Sequence, residues 1–200
     1  MDYKDLKQFE LNHFVWFGHY KENSFKLIQY LSILSALEVL GENGKIIFHT
    51  DREPENTNKF WNNLKQISKG KLIIFKPDHM KIEFIDDNHK SASHMNDVYR
   101  ILVLLHFGGI YRDIETISTN SVHDLIEDLS KAGKHHYKND EPNRKVFASQ
   151  ITSNAISIGF LVAPRNSDLL LKSVFRHRLI WCAVRGMPLW GLRGAYVTCN

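Results

Sequence analysis

Cysteine is nearly absent. Cys182 and Cys199 are the only two in the 200-residue chain, both near its end, so neither a disulfide framework nor a paired-cysteine zinc site is expected. Long apolar runs are also missing. Such runs as Ile101 to Leu105 and Leu179 to Val184 are far short of the roughly 20 residues of a membrane span. Met1 to Glu10 is polar and charged, unlike a secretory leader, and no Asn-x-Ser/Thr acceptor occurs. No membrane contact is therefore visible in the sequence. Phosphate loops are lacking as well: no G-x-G-x-x-G follows a strand, and Gly41 to Lys45 is no Walker motif. That argues against a dinucleotide-dependent dehydrogenase or a P-loop ATPase. Lys and Arg exceed Asp and Glu by 26 to 22, but they are scattered from Lys4 to Arg193 without a basic block. Nucleic acid is not indicated, whereas a mild positive balance suits small anions.

What is present reads as one globular domain over residues 1–200, with 43% hydrophobic and 24% charged residues. His13 to Phe17 forms an apolar, β-rich run closed by Gly18. Phe25, Ile28, Leu31, Leu34 and Leu37 then recur at helical spacing up to Gly41. Lys45 to Thr50 reads as a second strand, and Trp61, Leu64 and Ile67 mark a shorter helix in which Trp61 is a packing residue. Leu72 to Phe75 and Ile82 to Ile85 supply two further strand candidates. A helix is expected from Ser93 to Phe107, with Val98, Ile101, Leu102 and Leu105 on its apolar stripe and Gly108 as its stop. Beyond it, Ile110 to Ile117 reads as a strand and Val122 to Leu129 as a short helix. Lys134 to Lys145 is a polar loop whose His135 and His136 are expected to be solvated. Val146 to Ser149 and Ile156 to Ala163 resume strand character, and Ser167 to Arg178 is helical with Leu169, Leu170, Val174 and Phe175 inward. Strands alternating with helices predict an α/β fold with a largely parallel sheet.

In an extended strand Asp113 and Glu115 would project to one side, with Ile114 turned away. Two carboxylates so close need a cation or protons, and oxygen-only ligands select hard ions such as Mn²⁺ or Mg²⁺. Asp97 and Arg100 stand three apart on the preceding helix, either as an intrahelical ion pair or as a pair sharing a ligand.

The ordered set Asp97 Val98 Tyr99 Arg100, Leu104, Gly108 Gly109 Ile110 Tyr111, Asp113 Ile114 Glu115 resembles the DXD-motif sugar-transferase family. This family includes α-1,6-mannosyltransferases, α-1,4-galactosyl- and N-acetylglucosaminyltransferases, and capsular sugar transferases. His13 to Gly18 is similar to its first strand, His49 Thr50 Asp51 to the end of its second, and Asn154 to Pro164 to a later one. The resemblance covers residues 11–178. It implies a GT-A, Rossmann-like fold and transfer of a sugar from a UDP- or GDP-sugar to a glycan, glycolipid or glycoprotein hydroxyl, with a divalent metal and retention of anomeric configuration. By position it implies that Trp16, Phe17 and Gly18 border the nucleotide and that Asp97 and Arg100 hold the donor sugar. Asp113 would face ribose and metal, and Glu115 the metal. Asp86, Asp87 and Asp97 are candidates for a nucleophile, and no base is assigned. Family analogy favours the Golgi lumen, with the cytoplasm as the alternative. Two departures stand out: Glu115 where the family usually has Asp, and residues 179–200, which match nothing and imply a truncated or diverged C-terminal part. A degenerate transferase that only binds nucleotide-sugar is the alternative reading.

Overall fold

A computed structural model describes residues 10–17, 25–77, 92–121, 124, 146–152 and 155–172. Six strands form one sheet. Strands β1 (Leu11–Trp16), β2 (Lys45–Thr50), β3 (Leu72–Phe75) and β4 (Gly109–Arg112) run parallel, while β6 (Ala155–Ala163) is antiparallel to β4 and β5 (Phe147–Thr152) antiparallel to β6. Their spatial order is β3-β2-β1-β4-β6-β5. Ile46, Ile47 and Phe48 are all buried, as expected of a parallel strand covered on both faces.

Helices α1 (Leu27–Glu38) and α2 (Lys59–Ile67) cover one face, and α3 (Ala92–Phe107) covers the other. On the first face, Phe14, Trp16 and Phe48 pack against Phe25, Ile33, Ala36, Trp61 and Leu64. The second face joins Val15, Phe17, Tyr111, Leu161 and Ala163 to Tyr99, Val103 and Leu104. The α2 start is well specified. Asn58 accepts a hydrogen bond from Trp61 N at 3.0 Å, and its amide donates to Phe25 O at 2.7 Å, so one N-cap residue also ties α2 to the approach of α1.

Several sequence expectations are corrected here. On α1 the buried positions are Ser32, Ile33 and Ala36, while Ile28 and Leu31 are exposed. A strict spacing of three falls about 60° short of a full turn at each step, so that stripe drifts off the core face. On α3 the deepest residues are Tyr99, Val103 and Leu104, with Val98, Ile101 and Leu105 flanking them. Ile67 and Leu169 are exposed, whereas Leu170 is buried. The strand expected over residues 110–117 stops at Arg112, and a turn follows. The expected strand Ile82 to Ile85, nearly all of the helix Val122 to Leu129, the loop Lys134 to Lys145 with its histidines, Gly18, Asp86, Asp87, Val174, Phe175 and the divergent residues 179–200 lie outside the described residues. Among the described residues, no helix is long and apolar enough to cross a membrane.

The order of the strands locates a site. From β1 the chain moves outward to β2 and β3, then crosses back through α3 to β4 on the other side of β1. Ligands of open α/β sheets bind beyond the carboxyl ends of strands at such a reversal. Here those ends are Phe17 and Asp113.

Candidate functional site

Arg100 organises that end of the sheet. Its guanidinium meets Asp97 Oδ1 at 2.7 Å and Asp113 Oδ1 at 3.1 Å. It also donates to Ile158 O at 2.9 Å and, through Nε, to Asn96 O at 3.3 Å, and it lies 4.7 Å over the Tyr111 ring. The Arg100 side chain is 8% exposed and each carboxylate 45%. A fixed cation therefore sits beneath two half-open acids and offsets the repulsion between them. The sequence left Asp97 and Arg100 as either a helical ion pair or ligand partners. They form the pair, and Arg100 extends it to Asp113.

Tyr111 and Gly159 complete the setting of Asp113. The Tyr111 hydroxyl donates to Asp113 Oδ1 at 2.7 Å, and Asp113 N donates to Gly159 O at 2.7 Å. A Cβ on Gly159 would come within 2.6 Å of Asp113 Oδ2, so a glycine is what lets the carboxylate lie flat on β6. Burial pushes the Tyr111 phenol well above its ordinary range, opposed by the Arg100 charge, so it remains a donor to Asp113. The sequence offers Tyr111 as part of the Gly108 to Tyr111 motif without a role, and it does not single out Gly159. Gly159 stands inside a strand pattern, which is the usual mark of a close approach.

Glu115 is not on the same strand face as Asp113, contrary to expectation. Asp113 to Thr116 forms a turn in which Thr116 N donates to Asp113 O at 3.0 Å, so the alternation of an extended chain does not apply there. Glu115 is exposed. Its carboxylate has no hydrogen bond among the described residues, and the same holds for Asp113 Oδ2. Oxygen donors left open in this way fit a hard divalent cation such as Mn²⁺ or Mg²⁺. Among the described residues no group of three or more metal-binding side chains is gathered, so these carboxylates would supply part of a coordination shell that a diphosphate and water complete.

Trp16 and Phe17 are buried. Trp16 packs edge-on to Phe25 with ring centroids 5.9 Å apart, and Phe17 meets Tyr99 at 4.7 Å. Their rings are core, and their backbone forms the end of β1.

Beneath the site runs a buried polar chain that sequence reasoning missed. His13 Nε2 lies 2.9 Å from Gly108 O, His13 Nδ1 lies 3.0 Å from His49 Nε2, and His49 Nδ1 lies 2.9 Å from the Tyr99 hydroxyl. A carbonyl only accepts, so His13 donates from Nε2 and accepts at Nδ1 when neutral. His49 then donates from Nε2, and Tyr99 donates to His49 Nδ1. Every tautomer follows from that one carbonyl. Burial lowers the His13 pKa to about 4 and holds His49 well below its ordinary value. The chain ties β1 and β2 to α3 and to the glycine turn before β4.

Arg100→Met is expected to destabilise the fold by about 3 kcal/mol, because two carboxylates and a carbonyl lose their shared donor. Urea unfolding measures this. Arg100→Lys should recover only part of the loss, since a point charge does not span both acids as the guanidinium does.

Residues 43–131 match the family model described as the glycosyltransferase sugar-binding region containing DXD motif. That segment runs from the turn before β2 through α3 and the Asp113 turn. Among solved structures, the fold is similar to a PaToxG glycosyltransferase, with a TM-score of 0.55 and 14% identity over 89% of this chain and 62% of that one. It is also similar to a transferase solved as a double cysteine-to-serine mutant, with a TM-score of 0.54 and 14% identity over 86% of this chain and 79% of that one. The chain thus spans less than two thirds of the first of these. At such identities the likeness is one of fold, and it agrees with the expected GT-A, Rossmann-like arrangement. Curated protein sequences give no match.

Proposed function

We propose that this chain, whose residues 43–131 match the model of the glycosyltransferase sugar-binding region containing DXD motif, transfers a sugar from a UDP- or GDP-sugar to a hydroxyl of a glycan, glycolipid or glycoprotein. The observation that carries this reading is the meeting of Asp97, Arg100 and Asp113 at the carboxyl end of β4, beside the reversal of strand order. Half-exposed carboxylates anchored from below accept hydrogen bonds from sugar and ribose hydroxyls, and the guanidinium keeps their geometry fixed before the donor arrives. Asp97 and Arg100 hold the donor sugar. Asp113 serves the ribose and, with Glu115, a divalent cation. Trp16, Phe17 and Gly18 border the nucleotide, the first two as the packed end of β1. When bound, Mn²⁺ or Mg²⁺ neutralises the diphosphate leaving group. Transfer proceeds with retention of configuration, and no base or nucleophile is assigned.

The test is calorimetric titration with UDP and with GDP, each with and without Mn²⁺, on the wild type and on an Asp113→Ala, Glu115→Ala variant. Metal-dependent binding of one nucleotide, absent in the variant, is the expected result and identifies the donor class. Folded protein that binds neither nucleotide would sink the proposal. The exposed Glu115 in the place of the family's Asp favours a second reading, a degenerate transferase that retains nucleotide binding. Nucleotide binding without turnover, with turnover gained in Glu115→Asp, would select it.

A further inference from the structure

The turn that carries Asp113 and Glu115 is fastened from behind by groups with no part in holding the donor. Ser32, fully buried on α1, donates its hydroxyl to Thr116 O at 2.7 Å. Ser118 N donates to Ser35 Oγ at 2.9 Å, and that hydroxyl in turn donates to Ser32 O at 2.8 Å. Arg112 Nη1 donates to Ser118 Oγ. Within the turn, Thr116 Oγ1 donates to Asp113 O at 2.7 Å. The backbone on both sides of Glu115 is pinned while the Glu115 side chain is exposed.

These polar groups sit where apolar ones would pack at lower cost. Ser32 shares the buried face of α1 with Ile33 and Ala36. Arg112 is 4% exposed, its Nε has no hydrogen-bond partner, and among the described residues it has no ion pair; its guanidinium covers the Phe160 ring at 5.7 Å. A buried cation without a counter-charge is unfavourable, and burial alone lowers its pKa to about 10. Packing does not account for it. What Arg112 does accomplish is to close the turn from its first flank to Ser118.

We propose that Ser32, Ser35 and Arg112 are positioning residues for Glu115, holding the 113–118 turn so that its carboxylate is presented beside Asp113 to a shared divalent cation. This rests on the donor-binding reading above. Glu115 has one more rotatable bond than the Asp usual in the family, so its reach is defined only if its backbone is fixed. A loosened turn would have to be ordered on binding, at the expense of affinity.

The experiment compares Mn²⁺ affinity, measured calorimetrically on the full chain in the presence of whichever of UDP or GDP the wild type binds, with thermal unfolding. The variants are Ser32→Ala with Ser35→Ala, Ser35→Ala alone, and Arg112→Met. Each should weaken Mn²⁺ binding roughly three- to tenfold, the range that a lost anchoring hydrogen bond covers. The melting temperature should fall in the serine variants and hold or rise in Arg112→Met. A shared loss of affinity with opposite changes in stability separates positioning from general damage. If the double variant fails to fold, Ser35→Ala and Arg112→Met carry the comparison. Unchanged Mn²⁺ affinity in Arg112→Met and Ser35→Ala, with a wild type that binds, would overturn this proposal alone. A wild type that binds no Mn²⁺ would overturn the donor-binding reading and this proposal with it.

Discussion

Gly109→Ala is expected to lower stability by roughly 4 kcal/mol, near the upper end for a single substitution, as read from urea unfolding. The residue has φ +107°, and a Cβ there would lie 2.5 Å from the carbonyl oxygen of Leu11, 3.0 Å from Leu11 Cβ and 3.2 Å from His13 Nε2. Conformational strain alone costs about 1–3 kcal/mol. The overlap with backbone cannot be relieved by a rotamer change, so β4 must move away from β1, where Asn12 pairs with Ile110 and His13 with Tyr111. Two other glycines calibrate the effect. Gly41 has open space and no positive φ, so Gly41→Ala should be close to neutral. Gly70 has φ +78° in open space, so Gly70→Ala should cost only the strain, about 1 kcal/mol. Equal losses at all three positions would refute the steric account.

The second large effect is expected in acid. His13 titrates near 6.5 when unfolded and near 4 when folded, and His49 is shifted the same way. Below pH 6.5 the unfolded chain takes up protons that the folded protein refuses. Stability is therefore fully present above pH 6.5 and is lost as pH falls toward 4. His13 alone accounts for roughly 3 kcal/mol across that window. The urea midpoint followed from pH 7.5 to pH 4.5 should fall with a slope approaching two protons per molecule. His13→Gln should start less stable and show a shallower slope. A wild-type profile that is flat between pH 6.5 and pH 5 would contradict the buried neutral chain.

Much of the sheet was legible because its signal is local. Lys45 to Thr50 and Leu72 to Phe75 are apolar runs of strand length between turn residues, and they form β2 and β3. The helix faces were less legible, because α1 carries apolar residues around most of its circumference and the sheet selects Ile33 and Ala36. The extension of β4 to Ile117 failed for a different reason. Ile114, Thr116 and Ile117 are β-branched and suit a strand, but Thr116 donates back to Asp113 and Ser32 captures the Thr116 carbonyl, and neither contact leaves a periodic trace. Of the candidate site, the pairing of Asp97 with Arg100 could be read from its spacing on α3. The roles of Tyr111, Gly159, Arg112 and the two histidines required knowing which strands are neighbours, since His13 and His49 are 36 residues apart.

Two main-chain partners of the Arg100 and Asp113 cluster come from β6: Ile158 O receives Arg100, and Gly159 O receives Asp113 N. Arg100 and Ile158 are 58 residues apart, and loop closure over such a span is slow relative to helix formation. During synthesis from the N-terminus, α3 and its ion pair can form while β6 is still unmade, but the Arg100 guanidinium and Asp113 N gain their β6 carbonyls only when β6 pairs with β4. The site is therefore among the last features to appear as the chain folds, and its formation reports that the antiparallel end of the sheet has closed.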